Sequence, residues 1–170
     1  MTIANDTVRR VREYLVTDAA RLSIPEIIEQ VRAGEPALRA ACAAMPAARF
    51  AERPGPDDWS AAEILAHLLE WNERHALQIV GLLERGTAPA DDAVATPALQ
   101  SADEFWAGLD ACRSRLFARV LAARGDEHLN ATHDHMWFGP LNWREWLLFL
   151  RIHDRDHLRG LQQIGERLAG

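Results

Sequence analysis

The chain has 170 residues, of which 48% are hydrophobic and 26% are charged, and its formal net charge at pH 7 is −6. This length and balance are typical of one globular domain and exclude a disordered chain. All 19 basic residues are arginines, which excludes chemistry that requires a lysine, such as Schiff-base formation. The surplus of acidic residues disfavours nucleic acid as a partner.

The sequence gives no indication of a membrane or secreted protein. The first fifteen residues carry five charged side chains and no apolar core, unlike a signal peptide. The longest stretch without a charged residue, 93–102, is about half of what a membrane span requires. Cys42 and Cys112 form no CxxC pair and are expected to be small buried residues in a reducing compartment. We therefore expect a soluble, cytoplasmic protein.

A helix-start motif, Ser or Asn followed three residues later by Glu, occurs four times. In such a capping box the first side chain accepts a hydrogen bond from the third helical amide, and the Glu accepts one from the capping residue. The motifs begin at Ser23, Ser60, Ser101 and Asn142. Each precedes apolar residues at helical spacing. The predicted long helices lie near residues 23–45, 60–85, 101–124 and 142–168, and a shorter helix lies near 6–17.

The predicted elements define an all-α fold. Gly34 and Pro36 are expected to kink or break the first long helix, and no segment has the pattern of a strand. Four amphipathic helices predict a four-helix bundle with a short extra N-terminal helix. The connection at 87–100 is long enough to cross the bundle and allow the second and third long helices to run parallel. We predict an N-terminal extension over 1–21 and the bundle over 22–170.

Three of the seven histidines lie on predicted core-facing stripes. His153 and His157 are four residues apart in the last helix, which places their imidazoles one turn apart and close enough to bind one metal ion. His67 lies on the inward face of the second long helix. With a rise of ~1.5 Å per residue, the three reach similar heights if the two helices are antiparallel. We favour a metal site; the alternative is three core histidines bonded to backbone or water.

Other residues near the trio have competing interpretations. Between the two histidines of the last helix, Asp154 stands where a zincin protease has its Glu general base, which disfavours a protease. Glu63 is either a further ligand or, more simply, part of the capping box. Asp156 and Glu70 are either partners that orient a histidine or surface charges.

The segment 126–141 is long, and it is rich in imidazole and aromatic groups. Loops of this kind are more often functional than not. His133 and His135 could form a second metal site, although solvated or substrate-facing side chains are favoured; His128 has no assigned role. Trp71, Trp137 and Phe138 either line a pocket over the metal or belong to the core.

Two motifs, in this order, resemble those of the DinB-like metalloenzyme family. The first is Trp-Ser-Ala-Ala-Glu-Ile-Leu-Ala-His-Leu from Trp59, and the second is Phe-Gly-Pro-Leu-Asn-Trp-Arg-Glu-Trp-Leu from Phe138, followed by His153-x-x-x-His157. The resemblance covers about residues 22–168. It implies an up-down-down-up bundle with a long crossover between the second and third helices, and His67, His153 and His157 as the metal ligands.

The resemblance also limits the expected function. Family activities include thiol-dependent S-transferases, maleylpyruvate isomerases and a hydrolase of a reactive toxin. We expect a divalent metal, zinc or nickel by ligand type, and an enzyme that activates a small-molecule thiol or water against an electrophilic substrate. The alternatives are a noncatalytic stress-response or interaction protein with a structural or adventitious metal, and a metal-free bundle. A homodimer is compatible with each of these interpretations. No nucleic-acid or membrane partner is expected.

Overall fold

The computed structural model describes residues 5–90 and 94–169 and contains six α-helices and one short hairpin in this part of the chain. The helices are α1 (Asn5–Arg21), α2 (Ile24–Arg32), α3 (Glu35–Ala44), α4 (Ala61–Arg85), α5 (Ala102–Leu121) and α6 (Trp143–Ala169). A 3-10 turn at Ala47–Arg49 follows α3. The strands are β1 (His133–His135) and β2 (Gly139–Leu141).

The predicted helix starts are confirmed. Ser23 and Ser60 each accept a hydrogen bond from the amide of the Glu three residues later, and that Glu accepts one from the capping amide, so α2 and α4 begin with complete capping boxes. Asn142 and Glu145 make the same pair of bonds before α6. At α5 the box is incomplete: Ser101 caps the amide of Glu104, whose carboxylate accepts from the amide of Gln100.

The N-terminal half differs from the prediction in detail. The first long helix is broken as expected: α2 ends at Arg32 and α3 begins at Glu35, with Pro36 in its first turn, where a proline needs no amide partner. The N-terminal helix runs to Arg21, beyond the predicted end at residue 17. Ala19, beyond the predicted end, is 1% exposed in a core that α1 shares with α2 and α6, so packing against these helices continues past the local pattern.

Helices α4 and α6 run antiparallel and form the centre of the bundle. His67 in α4 lies beside His157 in α6, and two turns later His75 lies beside Trp146. Residue numbers therefore fall along α6 as they rise along α4. This is the arrangement that brings the three predicted histidines to the same height.

Helices α4 and α5 run parallel. Asn72 accepts a hydrogen bond from Arg113, and Glu84 accepts one from Arg119, so residue numbers rise together along both helices. Such a pair needs a connection that returns along the bundle. The predicted crossover at 87–100 supplies it, although its residues 91–93 lie outside the described part of the chain.

The α2–α3 pair runs in the direction of α6, which completes the up-down-down-up order. Near the start of α6, Arg144 donates to the carbonyl of Leu22, just before α2. At the other end, Arg49, which follows α3, donates to the carbonyl of Leu168. The expected bundle topology is confirmed. No helix in the described residues is long and apolar enough to cross a membrane.

The hairpin between α5 and α6 was not predicted, and the expectation of no strand was wrong. His135 pairs with Gly139 at the end nearest the turn, and Gly139 adopts a φ of 69° that favours glycine. Each strand has only three residues, too few for a period-of-two pattern to be recognised. Arg12 of α1 donates to the carbonyls of Phe138 and Pro140, so the hairpin is anchored to the N-terminal helix.

Candidate metal centre and adjoining cavity

The structure brings together His67, His153 and His157. One ring nitrogen from each lies within 4.8 Å of those of the other two. The ring centroids of His67 and His157 are 4.7 Å apart, as are those of His153 and His157. This is the one group of histidine, cysteine or carboxylate side chains in residues 5–90 and 94–169 that is compact enough to bind an ion.

The electrostatics of the trio favour its neutral form. Burial, helped by the nearby His157, lowers the pKa of His67 to about 4. Burial also holds the pKa of His153 well below the ordinary histidine value and lowers that of His157. Neutral imidazole is the form that binds a metal, because the ion occupies the position of a proton.

An unpaired atom in the trio also fits a bound group. His153 Nδ1 is buried and has no hydrogen-bond partner among the described residues. Leaving such an atom unsatisfied costs about 1–3 kcal/mol. The three imidazoles are therefore chemically suited to a divalent ion, and as three ligands they leave at least one coordination position for water or substrate.

The trio forms one end of a cavity of about 450 Å³. Its walls are largely aromatic and are supplied by Trp71, Trp137, Trp146 and Phe149. Six of the seven histidines line it: His67, His75, His133, His135, His153 and His157. A volume of this size suits a small molecule. Of the aromatic residues that the sequence singled out, Trp71 and Trp137 line the cavity, whereas the buried Phe138 stacks on His135.

His75 is a cavity residue that the sequence analysis missed. It is 2% exposed, and its ring centroid lies 5.6 Å from that of His153 and 5.0 Å from that of Trp146. Burial lowers its pKa to about 3. The signal was present, because steps of four from His67 through Trp71 lead to His75 on the same helix face.

The histidines between α5 and α6 divide into two groups. His133 and His135 lie on β1 and line the cavity. Neither belongs to a group of three or more described ligand side chains that could hold a metal ion, so the structure does not favour a second metal site there. His128 adopts a φ of 48° and lies against Gly86, away from the cavity. Burial lowers the pKa of His135 to about 4.

The carboxylates close to the trio have other partners or lie at the rim. Glu63 is part of its capping box and binds Arg53, which confirms the simpler of its two interpretations. Glu70 is paired with Arg74. Asp156 is exposed at the cavity rim. Among the described residues, none of these carboxylates makes a hydrogen bond to the trio.

Asp154 does not face the metal centre. It is 6% exposed, and its carboxylate binds Arg113 and Asn72 rather than a histidine of the trio. A carboxylate engaged in a buried ion pair is not placed to act as a general base beside the trio. The protease interpretation therefore has no support from the structure.

Comparisons with known proteins identify a matching family model and a similar solved structure. A sequence model of the DinB superfamily matches residues 28–161. Among solved structures, the crystal structure of TT2238, described as a four-helix bundle protein, matches with a TM-score of 0.62 and 26% sequence identity. The match covers 83% of this chain and 99% of that chain. A comparison with curated proteins found no match.

Proposed function

Since the chain belongs to the DinB superfamily, we propose that it is a divalent-metal-dependent enzyme that activates a small thiol, or water, for attack on an electrophilic substrate. The observation that carries the proposal is the position of the trio. Three imidazole nitrogens within 4.8 Å of one another stand at the end of a cavity large enough for a small molecule. A structural metal site usually has four protein ligands and no such opening.

In this proposal His67, His153 and His157 hold zinc or nickel, both of which suit imidazole ligands. When bound, the ion would lower the pKa of a coordinated thiol or water and so supply a nucleophile near neutral pH. The chain itself prepares the site in two ways. Burial keeps the three imidazoles unprotonated, and the aromatic walls limit the water that can compete with an organic substrate.

The second candidate is a noncatalytic stress-response or interaction protein in which the metal is structural or adventitious. It differs from the first in one respect that can be measured. A structural metal stabilises the fold without producing reactivity, whereas an enzyme consumes an electrophile. Loss of stability on chelation, together with no reaction of any thiol or of water with a panel of electrophiles, would favour this second candidate.

The first test is the metal content of protein purified without an affinity tag. We expect about one divalent ion per chain in the wild type and none in the double variant His153→Ala, His157→Ala. His128→Ala is the matched control, because it removes an imidazole outside the cavity and should retain the ion. Absence of metal from the wild type, even after incubation with zinc or nickel, would overturn the proposal.

A further inference from the structure

The hairpin fixes the tautomer of His135. Its Nδ1 accepts hydrogen bonds from the amides of Trp137, at 3.1 Å, and Phe138, at 3.4 Å. A ring nitrogen that accepts a hydrogen bond carries no proton, so in the neutral imidazole the proton is on Nε2. The turn between β1 and β2 therefore makes His135 a hydrogen-bond donor at the far end of its ring.

The aromatic neighbours of His135 fix the orientation of that donor. The ring stacks on Phe138 with centroids 4.5 Å apart and meets the edge of Phe149 at 4.6 Å. Within the described residues, the hydrogen bonds of His135 are the two that its Nδ1 accepts. Its Nε2 is not one of the completely buried polar atoms that lack a partner. Nε2 is therefore accessible from the cavity that His135 lines.

The charged residues around the cavity determine which kind of acceptor can bind to this donor. Asp134 and Asp156 lie on the lining, and no arginine is among the described residues that form it. A carboxylate or phosphate bound there would lose its hydration without a cationic partner among the described lining residues, while both aspartates at the exposed rim repel it. An uncharged oxygen needs only one donor.

We propose that the substrate of this cavity carries an uncharged hydrogen-bond acceptor, such as a ketone or amide carbonyl, to which His135 Nε2–H donates. Ring contacts connect His153 to His135 through His75 and Trp146. The acceptor therefore lies inside the cavity, at a distance from the end that the trio forms. The inference rests on the proposed function in that it takes the cavity beside the trio as the substrate site.

The test compares two probes with the same number of heavy atoms, acetophenone and benzoate, by NMR titration. Chelator-treated protein is used first, so that benzoate cannot bind an ion, and metal-loaded protein second. His135→Asn preserves an acceptor for the turn amides but is too short to donate at the position of Nε2, whereas His135→Gln places an amide N–H near that position. His128→Asn is the matched control outside the cavity.

We expect wild type to bind acetophenone at least about fivefold more tightly than benzoate without metal, because the carboxylate loses its hydration in a cavity with no cationic side chain among its described lining residues. Loss of one net hydrogen bond corresponds to about fivefold in affinity. His135→Asn should lose about fivefold in acetophenone affinity, His135→Gln should recover most of it, and His128→Asn should match wild type. Benzoate binding as tightly as acetophenone to the metal-free protein would overturn the inference. Equal losses in the Asn and Gln variants would do so too, as would an ¹⁵N spectrum that places the proton on Nδ1.

Metal content is measured on the protein as purified and after loading with zinc or nickel, so that the two proposals fail separately. One ion per chain, without the acetophenone preference in the chelator-treated protein, overturns only the role of His135. The acetophenone preference in a protein that takes up no ion on loading overturns only the metal-dependent function.

Discussion

His153 and Asp154 are neighbours in the chain, but their side chains belong to two different polar groups. His153 is part of the histidine trio. Asp154 accepts hydrogen bonds from Arg113 of α5 and Asn72 of α4, and the ion pair is almost completely buried. The same turn of α6 therefore supports the candidate metal centre and ties three helices together.

The ion pair predicts that removing only one of its two charges lowers the free energy of unfolding more than removing both. Asp154→Ala removes one of the two carboxylates that pair with the buried Arg113, and Glu35 remains 2.8 Å from its Nη1. Leaving a buried charge with no partner typically costs about 3–5 kcal/mol in the free energy of unfolding, so we expect a loss near the lower end of this range. The double variant Arg113→Met, Asp154→Leu removes both charges and should cost clearly less. Urea unfolding of wild type, of Asp154→Ala, Asp154→Leu and Arg113→Met, and of the double variant measures the difference. Additive losses would show that the pair is not coupled.

Metal binding should stabilise the folded chain through the trio. An ion that binds only the folded state at about one hundred times its dissociation constant adds about 2.7 kcal/mol to the free energy of unfolding. We expect zinc or nickel to raise the melting temperature of wild type, and a chelator to reverse the effect. The variant His67→Ala should show a much smaller shift, whereas an equal shift in that variant would place the bound ion elsewhere.

Lowering the pH should remove the contribution of the Glu63 carboxylate to the free energy of unfolding. The hydrogen bond from Arg53, followed by the bonds of the capping box, lowers the pKa of Glu63 to about 2. Because the folded pKa lies below the ordinary value, this carboxylate stabilises the fold fully above about pH 4.5 and loses its effect as the pH falls towards 2.

The matching experiment is urea unfolding of wild type and Glu63→Gln at two pH values. The carboxylate is partly exposed to solvent, so we expect a difference of about 1 kcal/mol or less near neutral pH. The difference should shrink near pH 2.5. A difference that is the same at both pH values would contradict the assigned role of the ionised carboxylate.

The two cysteines should be unreactive in the folded protein. Both are buried free thiols, and burial raises the pKa of Cys42 and of Cys112 to about 11. Each unit of increase lowers the thiolate fraction about tenfold near pH 8, so alkylation should be about a hundredfold slower than in urea-unfolded chain. Mass spectrometry of iodoacetamide-treated protein measures both rates. Rapid labelling of either thiol in the folded state would show that it is exposed.

The helices and the trio were largely predictable because their signals are local. A capping box involves residues three apart, so Ser23 and Ser60 mark helix starts without knowledge of the rest of the fold. The spacing of His153 and His157 fixes one face of a helix in the same way. The length of the connection between α4 and α5 allowed their parallel arrangement without requiring it, and the family resemblance implied it.

The hairpin and its consequences were not predictable in this way. Its strands have three residues each, and it is held by Arg12 from the opposite end of the chain. The helical spacing placed His75 on the face of His67, but that this face lines a cavity depends on the elements that close over it. A single sequence does not show the distance between residues that are far apart along the chain, such as Arg113 and Asp154.

The sequence by itself determined the fold class, the helix boundaries at their caps and the candidate ligands, because each depends on contacts within a few residues. The tertiary structure alone decided how closely the three imidazoles approach one another, that Asp154 binds Arg113 and Asn72, and that His135 is a donor facing the cavity. These features depend on packing and on hydrogen bonds between distant segments, which local propensity does not encode.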